Sequence, residues 1–221
     1  MQHPINGIFF KDFKNSYIPE ILKEIYRDKV YESYFKDKKD LVVIDIGANI
    51  GLFTQYVYGF SKKIYAVEPS KYHVEVLRTM CEYNKLENVT IIDAAIAVNN
   101  GTAKFFHNEN VTMFSLKEAV NNKPQEIEEV KTYALDTLFS EYKIDFVDFI
   151  KLDVEGAECE IAASKGFENV ADKIGTIIGE YHNWSGYNPH QLEASFQDRG
   201  FRFEWIKKTE ATLFLAVNTK K

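Results

Sequence analysis

Residues 41–53, LVVIDIGANIGLF, form an apolar run that ends at Asp45 and passes through a glycine-rich turn into a second apolar run. This pattern is typical of a buried parallel strand that continues into a helix and leaves backbone amides and one carboxylate uncovered at its carboxyl end. In open α/β sheets, ligands bind at that end of the strands. We therefore expect a small-molecule site that includes Asp45, Gly47, Asn49 and Gly51.

Strand-like and helix-like segments alternate along the rest of the chain. Apolar strands are predicted at residues 41–46, 63–67, 89–94, 146–152 and 174–179, and helices at residues 51–60, 71–85, 156–164 and 189–199. Residues 95–107 and residues 201–217 each predict an antiparallel hairpin. Strands that are apolar throughout indicate a parallel sheet covered on both faces. The expected fold is Rossmann-like α/β, with a mostly parallel seven-stranded sheet, helices on both faces and a C-terminal antiparallel hairpin, as in class I methyltransferases.

The chain before the first strand has a different pattern. Apolar residues recur at helical spacing between residues 18 and 35, and the charged segment KDKKD follows at residues 36–40. We therefore expect residues 1–39 to form an N-terminal helical segment that packs on the core. Residues 40–221 are expected to form the single main domain.

Composition restricts the partners. The net charge of −6 and the isoelectric point near 5.5 argue against a nucleic-acid partner, which usually meets a basic surface. No apolar run approaches the length of a membrane span, and the first residues lack the pattern of a signal peptide. Cys81 and Cys159 lie far apart and match no metal-binding spacing. These features are typical of a cytoplasmic protein with two reduced thiols.

The glycine turn distinguishes two kinds of nucleotide ligand. A dinucleotide-binding turn has the pattern G-x-G-x-x-G, whose second glycine lets the backbone approach the pyrophosphate. Counting from Gly47, the second and third glycine positions hold Asn49 and Leu52. The other register, which ends at Gly51, also fails at two positions. The turn therefore argues against a dinucleotide.

S-adenosylmethionine carries no phosphate, and its ribose hydroxyls, adenine amino group and amino-acid end suit acceptors at strand ends. Asp45 can accept from the amino group, and Glu68 can accept from both ribose hydroxyls. Asp93 and the Ala94 amide end the third strand, where adenine would be read. Asp45 could instead cap the next helix, and Glu68 could be a solvated residue. Three acidic strand ends beside one glycine turn nevertheless favour S-adenosylmethionine.

Four stretches resemble one known family: VIDIGANIGLFT (43–54), AVEPS (66–70), TYALDTLF (132–139) and DFIKLDVEGAECEI (148–161). They are similar to stretches of the FkbM-type S-adenosylmethionine-dependent methyltransferases, and IKLDVEGAE at residues 150–158 is the most specific of them. The resemblance covers residues 40–218. It implies an O-methyltransferase that acts on a hydroxyl of a sugar, a glycan or glycolipid, or a natural product.

Methyl transfer to a hydroxyl needs in-line positioning and a nearby base. Asp153 follows the fourth parallel strand, and the fifth strand delivers Glu180 and His182. We expect these three as catalytic residues, and Asp153, which lies beside the expected donor site, also as a cofactor-binding residue. His182 is the best proton acceptor at neutral pH by residue type, with Glu180 and Asp153 as alternatives. Glu155 completes the polar rim, and Glu158 is expected on the solvated face of the next helix.

The sequence indicates less about the acceptor and about the need for a metal than about the methyl donor. Trp184, in the loop after the fifth strand, suits a sugar face. Asp153, Glu180 and His182 are possible ligands of a divalent ion, but no helical His pair or Cys pair supports a zinc site, and we expect no required metal. RNA or a protein nitrogen is an alternative acceptor, although residues 153–156 read DVEG and not an NPPY-like tetrapeptide. A non-catalytic binding module is another alternative, against which the three acidic strand ends argue.

Overall fold

The computed structural model describes residues 2–5, 8–11, 18–107, 114–115, 126–208 and 211–220. Its strands are β1 (Gln2–Ile5), β2 (Ile8–Lys11), β3 (Leu41–Ile46), β4 (Ser61–Glu68), β5 (Val89–Asp93), β6 (Ala95–Ile96), β7 (Gly101–His107), β8 (Phe114–Ser115), β9 (Glu126–Tyr133), β10 (Val147–Leu152), β11 (Ile174–Tyr181), β12 (Phe201–Lys208) and β13 (Ala211–Asn218). Its α-helices are α1 (Ile18–Leu22), α2 (Glu32–Phe35), α3 (Leu52–Val57), α4 (Lys71–Tyr83), α5 (Leu135–Glu141), α6 (Glu158–Ala163), α7 (Lys165–Glu168) and α8 (Pro189–Gln197). A π-helix covers Lys23–Arg27, and 3₁₀ turns cover Tyr58–Phe60, Ala171–Lys173 and Asn183–Ser185.

The central sheet contains seven strands in the order β12-β13-β11-β10-β3-β4-β5. The five strands from β11 to β5 in this order are parallel, and β13 and β12 add to them in antiparallel orientation. The predicted sheet and its closing hairpin are confirmed. The chain runs outwards from β3 to β5 and then returns to the other side of β3 with β10. Ligands bind at such a switch point, outside the carboxyl ends of the strands.

Apolar side chains pack on both faces of this sheet, as strands that are apolar throughout predict. One face is covered by α5, α6 and α8, which bury Leu138, Ile161 and Phe196. The other face is covered by α3, α4 and the N-terminal helices, which contribute Ile25 and Phe35. The carboxyl edge of the sheet therefore lies between two packed layers.

The N-terminal helices pack closely on the sheet. The ring centroid of Phe35 lies 4.7 Å from that of Phe149 in β10. The segment is not one continuous helix, because α1 passes into the π-helix and Lys29 then takes a left-handed φ of 53° before α2. Nor are residues 1–39 helical throughout, since β1 and β2 pair as an antiparallel hairpin. Helical spacing identified the face that packs on the core, but not where the helix breaks.

The hairpin predicted for residues 95–107 is wrong. β6 and β7 both pair with β9, which lies between them, parallel to β6 and antiparallel to β7. The side chain of Asn100 holds β9 and α5 in this place, because its oxygen accepts a hydrogen bond from the Ala134 amide (2.8 Å) and its nitrogen donates one to Thr137 Oγ1 (2.9 Å). A strand that is distant in the chain therefore replaces the local partner.

Two smaller differences affect the site. β11 extends to Tyr181, so Glu180 belongs to the strand, and α6 begins at Glu158, two residues later than predicted. Cys81 and Cys159 are both buried and are not joined by a disulfide. Within the described ranges, no helix is long and apolar enough to cross a membrane.

Gly47 is the position where the sheet tolerates no side chain. Its φ is 77°, and a Cβ built there would lie 1.8 Å from the Asp153 carbonyl oxygen. We predict that Gly47→Ala lowers the free energy of unfolding by about 3–5 kcal/mol, because β3 and β10 must separate. Urea denaturation measures this loss. Gly59→Ala is the matched control, since a Cβ there meets no atom within 4 Å; an equal loss in both variants would contradict the close contact.

Candidate active site

A cavity of about 940 Å³ opens at the carboxyl edge of the sheet. Strand ends and the turns after them form its floor, and the N-terminal helices form its roof. This volume is in the range of small-molecule sites. The floor includes Gly47, Asn49, Glu68, Ala94, Lys151, Asp153, Glu155, Glu180, His182 and Trp184, and the roof includes Ile21, Glu24, Ile25 and Tyr31.

The glycine turn after β3 forms one wall of the cavity. The amides of Gly47 and Ala48 both donate to the Val67 carbonyl oxygen at 3.0 Å, which ties the turn to β4. Asn49 has a left-handed φ of 52°, a conformation that asparagine tolerates better than most residues. Of the four residues predicted in this turn region, Gly47 and Asn49 line the cavity, whereas Asp45 and Gly51 do not.

Asp45 supports the turn from below the cavity. Its side chain is fully buried, and its Oδ2 accepts a hydrogen bond of 2.6 Å from Thr54 Oγ1. Burial raises the pKa of Asp45, and Lys151 only partly offsets this effect. Among the described residues, Oδ1 of Asp45 has no hydrogen-bond partner.

Glu68 is buried at the end of β4 and faces the cavity. Its Oε2 accepts from the Asn49 amide at 2.8 Å and its Oε1 from the Ser70 amide at 2.9 Å, while His73 Nδ1 lies 3.4 Å from Oε1. These contacts fix the carboxylate against the glycine turn. A carboxylate has about four lone-pair positions, so further hydrogen bonds to a ligand remain possible.

The end of β5 differs from the expectation. Asp93 is exposed and does not line the cavity, whereas Ala94 is buried and does. The Ala94 amide donates to the Glu68 carbonyl oxygen at 3.2 Å and is therefore engaged. Ala94 contributes apolar surface at this position. The backbone N–H that we expected to meet adenine is bonded to the Glu68 carbonyl oxygen instead.

Lys151 and Asp153 connect the two central strand ends. Lys151 Nζ lies 2.9 Å from Asp153 Oδ2 and 3.4 Å from the Gly47 carbonyl oxygen. Burial disfavours the charged ammonium, but the carboxylates of Asp153 and Asp45 outweigh it and raise the pKa of Lys151 above its usual value. Burial likewise opposes ionisation of Asp153, yet Lys151 and His182 hold the pKa of Asp153 below its usual value.

His182 lies among four carboxylates. Its Nδ1 is 2.8 Å from Glu158 Oε1, and its Nε2 is 3.2 Å from Glu155 Oε2 and 3.9 Å from both Asp153 Oδ1 and Glu180 Oε1. Burial lowers the pKa of His182, but the hydrogen bond to Glu158 and the charge of Glu155 outweigh it and raise the pKa to about 10. This shift favours the imidazolium form and argues against His182 as the proton acceptor, so that role stays a prediction.

Glu158 is not on a solvated face, so that expectation is wrong. Its side chain is 1% exposed, and its Oε1 also accepts from the Gly156 amide at 3.1 Å. Because α6 begins at Glu158 itself, the side chain of this first residue turns back towards the end of β11.

Glu155 and Glu180 complete the cluster. Burial raises the pKa of Glu155 to about 8, and the charges of Asp153 and Glu180 add to this shift although His182 opposes it. Burial, followed by the charge of Asp153, raises the pKa of Glu180 to about 7. Glu155 also has a left-handed φ of 52°, which is strained for a residue with a side chain. Strain retained at a cavity wall indicates a function for that side chain.

Sequence reasoning missed Lys151 as a functional residue. Its signal is a charged residue set between apolar ones in a parallel strand, FIKL at residues 149–152. Such a residue is rarely buried without a partner, and here its partner is Asp153. His73 was also missed, because nothing in the sequence connects the first turn of α4 with Glu68.

The comparisons with known proteins agree with this geometry. A family model described as "Methyltransferase FkbM domain" matches residues 45–203. The methyltransferase sdnD of Sordaria araneosa is 28% identical over 84% of this chain and 84% of its own length.

Solved structures share the fold at low sequence identity. The precorrin-6y C5,15-methyltransferase of Geobacter metallireducens GS-15 has a TM-score of 0.57 at 14% identity, over 95% of this chain and 94% of that chain. Methyltransferase FkbM of Methylobacillus flagellatus KT has a TM-score of 0.59 at 15% identity, over 83% of this chain and 45% of that chain. A putative methyltransferase of Streptococcus mutans in complex with SAH has a TM-score of 0.52 at 9% identity, over 86% of this chain and 96% of that chain.

The seven-stranded sheet and these neighbours show the class I methyltransferase fold. Since the family model covers most of the chain, the protein belongs to the FkbM methyltransferase family.

The Thr54–Asp45 hydrogen bond generates a prediction about stability. We predict that Thr54→Val lowers the free energy of unfolding by about 1–3 kcal/mol, because it leaves both oxygens of a buried carboxylate unsatisfied. Thr79→Val is the matched control: Thr79 is exposed on α4 and bonds only its own helix, so its change should stay within about 0.5 kcal/mol. Chemical denaturation of both variants measures the difference, and similar losses would refute the role of Thr54.

Proposed function

We propose that this protein is an S-adenosylmethionine-dependent O-methyltransferase that acts on a hydroxyl of a sugar, a glycan or glycolipid, or a natural product. The observation that carries the proposal is a single cavity with two unlike ends. Glu68 and the glycine turn form one end, and the carboxylates around His182 form the other. The first end suits the adenosyl part of the donor, and the second suits a neutral hydroxyl that must lose a proton.

The donor end offers acceptors where S-adenosylmethionine has donors. Glu68 is held by two backbone amides, so its carboxylate is already oriented for the ribose hydroxyls. Ala94 offers an apolar surface for adenine, and Asp153 lies on the side where the cationic amino-acid end would reach. We assign Gly47, Asn49, Glu68, Ala94 and Asp153 to direct contact with the donor. Asp45, Gly51 and Asp93 then act indirectly, by shaping the strand ends.

The acceptor end provides the proton acceptor. The reaction transfers the methyl group from sulfur to the hydroxyl oxygen, breaks the sulfur–carbon bond and releases the hydroxyl proton to a base. We assign this base to Glu180, whose side chain is 30% exposed to the cavity and forms no hydrogen bond with any described residue. Asp153 and His182 position the acceptor on either side of it.

Two observations favour a neutral acceptor over RNA. The carboxylates of Asp153, Glu155 and Glu180 line the acceptor end and would repel a phosphate backbone. Trp184 lines the same end, and its ring lies close to Gly156, where a Cβ would come within 3.1 Å of it. An aromatic face next to carboxylates suits a sugar ring, whose carbon-bound hydrogens pack on the ring while its hydroxyls meet the acids.

Calorimetry with S-adenosylmethionine and S-adenosylhomocysteine tests the donor end. We predict that Glu68→Gln weakens binding of both by about 1–3 kcal/mol, or about 5- to 150-fold, because the ribose loses a charged acceptor. Glu82→Gln, on the exposed side of α4, should bind as the unmodified protein does. Failure of the unmodified protein to bind either compound at millimolar concentration would refute the proposed donor.

Transfer of a labelled methyl group to a panel of sugars, glycolipids and polyketide alcohols tests the acceptor end. With the acceptor so identified, Glu180→Gln should lower kcat by about 10²–10⁴-fold, the usual contribution of a base, and leave donor affinity unchanged. Glu204→Gln is the matched control, because Glu204 is an exposed strand glutamate away from the cavity. Full turnover by Glu180→Gln would show that another group accepts the proton. Transfer only to RNA or protein would refute the acceptor class.

A further inference from the structure

We propose that Asp153, Glu155 and His182 bind a divalent metal ion at the acceptor end of the cavity. The role of the ion in the reaction rests on the proposed function, whereas the binding of the ion does not. It replaces the expectation from sequence that no metal is required. The three side chains come from two separate turns, those after β10 and β11, so only the folded chain brings them together.

The spacing of the three ligand atoms fits a common ion. One oxygen of Asp153, one oxygen of Glu155 and one ring nitrogen of His182 all lie within 4.8 Å of one another. Within this set, His182 Nε2 is 3.2 Å from Glu155 Oε2 and 3.9 Å from Asp153 Oδ1. Atoms that bind one ion at about 2.1 Å are themselves about 3–4.2 Å apart. The two distances from His182 Nε2 lie within this range, and any separation near 4.8 Å must shorten when the ion binds.

The other nitrogen of His182 is already held as in a metal-bound imidazole. Metal-binding histidines usually donate their second ring N–H to a carboxylate, which fixes the ring orientation. Here Nδ1 lies 2.8 Å from Oε1 of Glu158, which is itself 1% exposed and fixed by the Gly156 amide. Nε2 is thereby directed towards Asp153 and Glu155. A chance group of acidic side chains would not need a buried carboxylate that holds the histidine ring in this orientation.

Asp153 leaves one oxygen for the ion. Lys151 contacts Oδ2, whereas Oδ1 is a buried atom that accepts no hydrogen bond from the described residues. A buried carboxylate oxygen without a partner is costly. A cation between Oδ1 and the Glu155 carboxylate would remove this cost and would reduce the repulsion between the two acids. Two carboxylates and one imidazole are a mixed oxygen and nitrogen set, which suits Mn²⁺ and neighbouring divalent ions.

The ion would bind the acceptor hydroxyl and lower its pKa, since a bound divalent cation stabilises the oxyanion. Glu180 is not one of the three ligands and remains beside them to take the proton. The same ion would fix the hydroxyl oxygen relative to the donor, which is the positioning that methyl transfer needs.

Titration of the full-length protein with Mn²⁺, followed by the loss of the electron paramagnetic resonance signal of free Mn²⁺, tests the site without donor or acceptor. We expect about one ion per chain. Glu155→Gln should weaken Mn²⁺ binding at least about tenfold, and Glu158→Gln, which removes the charge behind His182, by about 10–100-fold. His190→Gln is the control, because His190 and Glu193 form an exposed pair 3.8 Å apart on α8 and should not contribute.

Circular dichroism of each variant establishes that it is folded. Binding of Mn²⁺ tests the metal site, and binding of S-adenosylmethionine tests the proposed donor. An undiminished signal of free Mn²⁺ at millimolar protein, or equal affinity in Glu155→Gln and the unmodified chain, would overturn the metal site. That result would identify the cluster as a network of ion pairs with a proton on His182. Mn²⁺ binding without any binding of S-adenosylmethionine would instead support the metal site and refute the proposed donor.

Discussion

The close contact between the carboxyl ends of β3 and β10 is the constraint on which the site depends. The Asp153 amide donates to the Ile46 carbonyl oxygen at 3.1 Å, and Gly47 leaves no space for a side chain against the Asp153 carbonyl. Lys151 adds a contact to the Gly47 carbonyl oxygen from the same strand. As a result, the glycine turn and the acidic turn form adjoining walls of one cavity, and the two substrates of a methyl transfer can meet there.

The charges in this cavity are not the arrangement that would stabilise the sheet edge most. Each buried carboxylate loses hydration, and a buried ion pair seldom repays that loss fully. Lys151 compensates Asp153 and His182 compensates Glu158, yet Glu155 and Glu180 keep raised pKa values. An apolar cluster of similar volume would be the simpler way to stabilise the sheet edge. Ionisable groups with perturbed pKa values are retained where proton transfer or cation binding requires them.

The sequence predicted the fold well because strand burial on both faces leaves a local signature. Consecutive apolar residues, such as LVVI at 41–44, do not show the alternation of a half-exposed strand. The order of elements then permits few sheets. The position of Glu68 could be predicted for the same reason, since it directly follows a strand. Residues 95–107 could not be predicted, because a turn determines where the chain reverses but not which strand becomes its neighbour. β9, which lies further along the chain, pairs with both β6 and β7, and Asn100 bonds Ala134 and Thr137 just after β9.

The sequence by itself determined the fold class and indicated the edge of the sheet as the candidate site, because both follow from strand ends and from glycine spacing. Only the tertiary structure decided how the candidate residues are used. It engaged the Ala94 amide, exposed Asp93 and buried Glu158 behind His182. The physical reason is that the availability of a polar group depends on hydrogen bonds from distant parts of the chain. Its protonation depends likewise on the charges that folding brings within a few ångströms.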